Sequence, residues 1–194
     1  MRVLLPLCLT LTFTCLLPVN AMPTQPIELG PTANAPIPEF QWQTFAPPAG
    51  RFSVLLPAPP ELRERVLTTG IIYTYICKMG DIGYVVQYDD RPSKNVRILG
   101  AEKMIMIAGD TYLRTSHSKL ISKSHLTRNG YPGTKMIALR LNGKQEIICA
   151  YLAENRIYHL IAIYSAGDAE AEANANKFLN SFTLTSATPP KATR

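Results

Sequence analysis

The sequence predicts an α+β fold in which an antiparallel sheet of six to seven strands packs beneath two main helices. First, runs rich in β-branched and aromatic residues follow one another with only short turns between them. Second, the turns include Asn129-Gly130 and Asn142-Gly143, dipeptides typical of tight β-hairpins. Third, residues 99–114 and 168–182 repeat apolar side chains with helical spacing. Successive hairpins make neighbouring strands antiparallel, and helices placed between groups of strands indicate the α+β class.

Three strands are predicted before the first helix. In residues 50–57 (GRFSVLLP) apolar side chains occupy alternate positions, and a proline ends the run. A second strand is predicted over residues 65–78, which are rich in Ile, Tyr and Thr. The Gly80-Asp81 pair then suits a two-residue turn into a third strand over residues 82–88.

The first helix is predicted over residues 99–114. Its apolar residues share one face, which is formed by Ala101, Ile105, Ala108 and Tyr112. Gly109 lowers helix stability by about 1 kcal/mol relative to alanine, which weakens the last turn. The apolar face is expected to lie against the sheet.

Four strands and a second helix follow, and residues 146–184 contain the most regular part of the pattern. The strands are predicted over residues 118–127, 134–141, 145–152 and 157–164. In the last segment one apolar stripe is formed by Ala171, Ala175, Phe178 and Phe182. Ser165 and Asp168 are spaced as in a capping box, so the helix is predicted to begin near Asp168. This helix is expected to lie on the buried face of the closing hairpin.

The chain divides into a leader, a linker, one domain and a tail. Residues 1–21 resemble a secretory signal peptide, because Arg2 precedes an apolar run that small residues end. Residues 22–40 contain five prolines and are expected to form an extended linker. The domain is predicted over residues 41–184, with a disordered tail over residues 185–194. We therefore expect an exported protein with no integral membrane span after cleavage.

Positive charge is concentrated in the middle of the chain. The sequence has a formal net charge of +6, and residues 91–144 contain eleven basic residues and two acidic ones. One interpretation is an anion-facing docking strip, with Lys119, Lys123 and His125 on one side of a strand. The other is an ordinary exposed edge strand that its lysines protect from aggregation. The candidate docking residues are Arg114, His117, Lys119, Lys123, His125 and Arg128.

Two cysteines, Cys77 and Cys149, lie outside the predicted signal peptide. In an oxidising compartment an even number of cysteines suggests a disulfide bond. Both residues also lie within predicted strands, where a free cysteine behaves as a small buried apolar residue. Both interpretations stay open. The spacing matches no zinc-binding motif, so no metal site is predicted.

No motif of a known enzyme class occurs in the sequence. The serine-hydrolase elbow, the glycine-rich nucleotide-binding loops and the zinc-protease motif are all missing. The carboxylates of Asp89-Asp90 fit a turn before a proline, whereas Glu170 and Glu172 suit the N-terminus of a helix. His159 lies among apolar residues and is interpreted as a hydrogen-bonded histidine of the sheet. We therefore predict no catalytic residue, no metal and no cofactor.

Several short motifs occur in the order found in one known family. They are Trp42 and Phe45 before the GRFSVLLP strand, a strand over residues 84–92 ending in Asp-Arg-Pro, a Gly-Tyr-Pro-Gly turn at residues 130–133, and the segments at residues 155–160 (NRIYHL) and 177–182 (KFLNSF). In this order the motifs resemble the PsbP/Mog1-like family. The resemblance covers residues 41–184.

The resemblance implies a fold and a class of function. Members of this family have a central antiparallel sheet with helices on both sides, so an α/β/α sandwich is expected. They are chiefly non-enzymatic: photosystem II extrinsic subunits in the thylakoid lumen, a nuclear Ran-binding factor and exported bacterial proteins of unknown role. The matched motifs are structural and carry over no functional residue. A periplasmic or thylakoid-lumen location is therefore expected.

Three functions remain as hypotheses. The first is a monomeric, non-enzymatic accessory protein that docks an acidic protein or a membrane-associated complex, of photosystem or envelope type, through its basic region. The second is a small-molecule-binding protein or an enzyme that uses a pocket between sheet and helix. The third is a secretion chaperone or assembly factor, which needs a large exposed apolar groove. Nucleic-acid binding is not expected, because the basic region lacks interleaved aromatic residues and the protein is exported.

Overall fold

The structure is a computed structural model that describes residues 41–185. The expected signal peptide (residues 1–21), the linker (residues 22–40) and the tail from residue 186 onwards lie outside the described residues. The strands are β1 (Gln43–Phe45), β2 (Phe52–Leu56), β3 (Glu61–Leu67), β4 (Gly70–Met79), β5 (Ile82–Asp90), β6 (Ser118–Arg128), β7 (Tyr131–Arg140), β8 (Lys144–Ala153), β9 (Arg156–Ser165) and β10 (Thr183–Leu184). The helices are α1 (Ser93–Leu99), α2 (Ala101–Ser116) and α3 (Ala169–Ser181).

Seven strands form one antiparallel sheet. Their order is β3-β4-β5-β9-β8-β7-β6, and every neighbouring pair is antiparallel. Strands β3 to β5 form one meander and β6 to β9 form another, and the two meet where β5 pairs with β9. The predicted α+β fold with a large antiparallel sheet is confirmed. Strands β3 and β6 are the two edges of this sheet.

The set of strands that forms the large sheet differs from the prediction. The expected single strand over residues 65–78 is a hairpin, because the chain reverses after Leu67 and β4 begins at Gly70. All seven residues of β3 are exposed, so no buried face constrains its sequence. The run at residues 50–57 instead forms β2, which pairs with β1 and β10 in a second, three-stranded sheet.

The two long helices lie on opposite faces of the large sheet. On β8, Ile147 belongs to the core that contains Phe178 of α3. The next residue, Ile148, belongs to a core that contains Leu113 of α2. Successive side chains of a strand point to opposite faces. The sheet therefore has a helix on each side, and the expected α/β/α sandwich is confirmed.

The small sheet covers part of the α3 face. Phe52 of β2 packs edge-on against Tyr88 and Tyr158, with ring centroids 6.2 and 6.1 Å away. Such aromatic pairs contribute about 0.5–1.5 kcal/mol beyond the area they bury. The hydroxyl of Tyr158 also donates a 2.9 Å hydrogen bond to the carbonyl oxygen of Gly50. The GRFSVLLP strand is thus a cover for the core and not a member of the large sheet.

The helix predicted over residues 99–114 corresponds to α2, and a short helix that was not predicted, α1, precedes it. Gly100 separates α1 from α2 and has a φ of 75°, a conformation that favours glycine. Helix α1 contains no fully buried residue. Its Val96 and Leu99 are partly buried against the α2 core, a pattern too short to identify a helix in the sequence. Within α2, a Cβ added at Gly109 would lie 2.8 Å from Cε of Met136. The glycine therefore allows α2 to pack closely on β7.

Helix α3 begins with a different cap from the one predicted. Asp168 is itself the N-cap, and its side chain accepts a 2.9 Å hydrogen bond from the backbone N–H of Ala171. Ser165 is the last residue of β9 and does not cap the helix. The predicted apolar stripe is buried against the sheet, so the position of the helix follows the prediction.

Candidate functional site beside helix α2

The predicted docking strip lies mainly on strand β6. This strand is an edge of the large sheet, and within residues 41–185 it pairs only with β7. Lys119, Lys123 and His125 are all exposed on it. An edge strand presents unpaired backbone N–H and C=O groups, which can pair with another chain. The predicted basic residues therefore lie next to a free sheet edge.

A β-bulge separates the two predicted lysines. The register of β6 against β7 shifts between Leu120 and Ser122, so Ile121 is an extra residue. One extra residue reverses the faces to which the following side chains point. Lys119 therefore lies on the α3 side of the sheet, whereas Lys123 lies on the α2 side. The prediction that both lysines share one face is wrong.

The remaining candidate residues have different surroundings. Arg114 is exposed in the last turn of α2, and His117 ends that helix with a φ of 53°. Arg128 donates hydrogen bonds to the carbonyl oxygens of Leu179 (3.3 Å) and Asn180 (3.2 Å). These carbonyls belong to the last turn of α3, where a cation is favourable. Arg128 therefore has a structural role, and the six predicted residues do not share one surface.

Lys123 and His125 line a groove between β6 and helix α2, with a volume of about 700 Å³. Lys103 of α2 adds a third basic group to its wall. Among the described residues that line the groove, Glu102 is the one with a carboxylate. Exposed apolar surface comes chiefly from Met106, which is 43% exposed. The groove is thus a depression beside a sheet edge that combines apolar walls with three basic residues.

One row of mostly polar side chains crosses all seven strands on the α2 side of the sheet. Its members lie opposite one another in register, and they are Arg63, Thr74, Gln87, His159, Ala150, Thr134 and His125. Helix α2 lies over the middle of this row, because Ala108 and Ala150 pack in one core cluster. Thr134 and His125 line the groove on one side of the helix. Gln87 and His159 line a separate cavity on the other side.

His159 is the most unusual member of this row. It is 4% exposed, and neither ring nitrogen has a hydrogen-bond partner among the described residues. Burial, together with the nearby charge of Arg91, lowers its pKa to about 4, so the ring is neutral at neutral pH. Its ring stacks on that of Tyr112, with centroids 6.2 Å apart. The predicted position in the sheet is confirmed, but the expected hydrogen bond is missing.

Tyr112 also contacts a buried carboxylate. Glu146 of β8 has no exposed surface, and it accepts hydrogen bonds from the hydroxyls of Tyr112 (2.8 Å) and Ser116 (3.4 Å). Nε of Arg140 lies 3.6 Å from the same carboxylate. Burial and Glu146 both raise the pKa of Tyr112. This cluster was not predicted, because its members come from separate elements that only the fold brings together.

The two cysteines are free thiols buried in the α3-side core. Cys77 lies on β4 and Cys149 on β8, with β5 and β9 between them. Neighbouring strands are about 4.8 Å apart, so the two Cα atoms are separated by roughly 14 Å. A disulfide requires Cα atoms within about 7 Å. The structure therefore contradicts the bridge and agrees with the alternative of buried thiols, whose pKa values burial raises.

Residues 41–185 contain neither a metal-binding cluster of side chains nor a membrane-spanning helix. In this part of the chain, no three His, Cys, Asp or Glu side chains lie together as they do in a metal site. None of the helices there combines the length and the hydropathy that a membrane span needs.

Comparison with known proteins identifies the fold. No family model and no curated protein matches the chain. The solution structure of cyanobacterial PsbP (CyanoP) from Synechocystis sp. PCC 6803 matches with a TM-score of 0.54 and 11% sequence identity, over 80% of this chain and 99% of that one. At this identity the likeness shows a PsbP-like fold alone.

Two crystal structures are less similar. One, from Bacteroides thetaiotaomicron VPI-5482, matches with a TM-score of 0.44 and 10% identity, over 76% of this chain and 50% of that one. The other is protein PA94 of unknown function from Pseudomonas aeruginosa, with a TM-score of 0.38 and 10% identity, over 78% of this chain and 99% of that one.

Proposed function

We propose that this chain is an exported, non-enzymatic binding protein that docks an acidic protein along strand β6 and the adjoining groove. One observation carries the proposal: Lys123 and His125, two residues of the predicted strip, line with Lys103 a groove of about 700 Å³. A groove of this size beside a sheet edge accommodates an extended segment of a partner.

Charge favours an acidic partner. Residues 91–144 carry eleven basic residues and two acidic ones, and one of the two acidic residues, Glu102, lies at the groove. Complementary potentials speed association and select the partner more than they increase affinity. The free edge of β6 adds a second mode of recognition, because an extended acidic segment can pair with its backbone. Binding by this route needs no catalytic group.

The location of the protein rests on its N-terminal sequence and on its fold. Residues 1–21 have the pattern of a signal peptide, and the PsbP-like fold neighbour is a cyanobacterial protein. We therefore place the partner in the periplasm or the thylakoid lumen, as an exposed acidic part of an envelope or photosystem-type complex. A monomer is the form that leaves β6 free.

Charge reversal within the groove tests the proposal. The protein is used to capture partners from an envelope or thylakoid extract, at low salt and at about 0.5 M salt, where exposed charges are strongly screened. The double variant Lys103→Glu/Lys123→Glu is expected to lose the captured protein, as is the wild type at high salt. The matched control is Lys78→Glu/Lys94→Glu, which makes the same charge change at exposed positions outside the groove.

A photo-crosslinker at Thr127, which also lines the groove, then identifies the contact. It is expected to label one acidic protein, whereas a crosslinker at Lys78 does not. The proposal fails if the groove variant captures as much as the control variant, or if high salt has no effect. Equal binding of both double variants to anionic vesicles, with no crosslinked protein, would indicate a membrane surface instead.

A further inference from the structure

A second, smaller cavity lies on the other side of helix α2 from the groove. Its volume is about 160 Å³, and its walls include His159 and Gln87 from the sheet and Tyr112 from α2. An open cleft of about 540 Å³ adjoins it and shares Arg65, Gln87 and Tyr112 with it. The cleft gives a route from solvent to the cavity.

The cavity contains polar groups without partners. Both ring nitrogens of His159 are buried and lack a hydrogen bond within residues 41–185. Gln87 lies directly opposite His159 on the neighbouring strand, and it makes no side-chain hydrogen bond with the described residues. Buried polar groups in proteins nearly always have a partner. A neutral imidazole offers one donor and one acceptor, and in His159 both are left without a partner beside this cavity.

The charge of the walls is positive. Arg65 and Arg91 line the cavity, and no Asp or Glu is among the described residues that do. Nε of Arg91 lies 2.7 Å from Oδ2 of Asp89, which partly neutralises it. Arg65 forms no ion pair with the rest of residues 41–185, and its guanidinium is therefore available to an anion.

The remaining wall is apolar. It is formed by Ile72, Met104, Ile107, Ala108 and Ile157. An apolar cavity of about 150 Å³ is known to hold a molecule of the size of benzene. The same volume could instead hold roughly five water molecules at about 30 Å³ each. An apolar wall beside a guanidinium without an ion pair favours an amphipathic anion over water alone.

We propose that this cavity binds a small organic carboxylate with a compact apolar body. The carboxylate accepts hydrogen bonds from Arg65 and Gln87, and the apolar body lies against the isoleucines and the buried ring of His159. The site is separate from the groove beside β6. The inference therefore does not depend on the docking function proposed above.

Benzoate is a suitable probe, with benzyl alcohol and benzylamine as neutral and cationic controls of the same size. The chain has three histidines, so their ring ¹⁵N signals can be followed individually by NMR. Benzoate is expected to shift the His159 signals saturably, with a Kd on the order of 1 mM. Benzyl alcohol is expected to bind about tenfold more weakly, and benzylamine not at all.

Three variants test the roles of the residues. Arg65→Gln is expected to weaken benzoate binding about tenfold and to leave benzyl alcohol binding unchanged. Arg97→Gln, an exposed arginine of α1 outside the cavity, is the matched control and is expected to have no effect. His159→Phe places a larger, apolar ring in the cavity wall and reduces the space for benzoate, so a folded protein that no longer binds benzoate is expected.

Several outcomes would overturn the inference. Absence of any shift up to about 10 mM benzoate means that the cavity holds only water. Equal affinity for benzoate and benzyl alcohol, or equal effects of the two arginine variants, means that the site does not recognise an anion. Benzoate binding that survives in His159→Phe places the ligand elsewhere.

Discussion

The hydroxyl of Tyr112 on helix α2 donates a 2.8 Å hydrogen bond to Oε2 of Glu146 on strand β8. Glu146 has no exposed surface, so this bond joins α2 to the centre of the sheet through a fully buried carboxylate. Hydrogen bonds to charged groups contribute about 1.5–3 kcal/mol, more than neutral ones. The same tyrosine stacks on His159, which makes it the link between the buried carboxylate and the unsatisfied histidine.

Tyr112→Phe is expected to lower the free energy of unfolding by about 1.5–3 kcal/mol, because it leaves Glu146 with one fewer donor in a site without water access. Urea denaturation measures the change. The control is Tyr131→Phe, a half-buried tyrosine whose hydroxyl makes no hydrogen bond within residues 41–185; it is expected to stay within about 0.5 kcal/mol. Equal losses in the two variants would contradict the role of the Tyr112 hydroxyl.

The strands and the helix that bury one face were the elements predicted most accurately from the sequence. The runs that became β8, β9 and α3 are buried on at least one face, so apolar residues recur with the period of the element. Strand β3 is exposed throughout and helix α1 has no fully buried residue, and neither was predicted as a separate element. The strand over residues 50–57 was identified, but its assignment to the small sheet depends on pairing with β1 and β10, which no local pattern encodes.

The candidate sites were predictable only in part. Lys123 and His125 were identified by charge, and they do line a groove. The bulge at Ile121, which moves Lys119 to the other face, arises from the register against β7. The cavity around His159 needs residues from β3, β5, α2 and β9. Such long-range juxtapositions cannot be read from spacing along one segment, so the sequence indicated a basic region but not the second site.

Gly133 on strand β7 is expected to tolerate no side chain. A Cβ there would lie 2.7 Å from the backbone oxygen of Ala150 and 2.7 Å from the ring of Tyr151. Gly133→Ala should therefore destabilise the protein by about 1–3 kcal/mol or more, as overpacking does. Gly83→Ala is the matched control on another strand, because its Cβ would meet Ile163 at an ordinary 3.9 Å. The melting temperatures of the two variants, measured by thermal unfolding, test this prediction. Similar melting temperatures would show that β7 and β8 are not closely packed at Gly133.

Arg128 is expected to affect stability, whereas Lys119 is not, although both were predicted as docking residues. Arg128→Met removes two hydrogen bonds to the C-terminal turn of α3, and a loss of about 1–2 kcal/mol is expected. Lys119→Met changes an exposed side chain and should stay within about 0.5 kcal/mol. Denaturation in urea compares them. If Arg128→Met is as stable as the wild type, the arginine is free for a partner after all.

Acid is expected to destabilise the fold through His159. In the folded protein its pKa is about 4, against an ordinary value of 6.5, so between these pH values the unfolded chain binds a proton that the folded protein does not. Stability is therefore fully present above pH 6.5 and falls as the pH is lowered to about 4. The loss attributable to this residue is at most roughly 3 kcal/mol.

The measurement is the free energy of unfolding as a function of pH for the wild type and for His159→Phe. Carboxylates titrate alike in both proteins, so the difference between the two curves isolates the histidine. The wild-type curve is expected to fall relative to the variant as the pH decreases from 6.5 to 4. Parallel curves for His159→Phe and the wild type would mean that His159 finds a partner when it is protonated, and that the ring is not held neutral by burial.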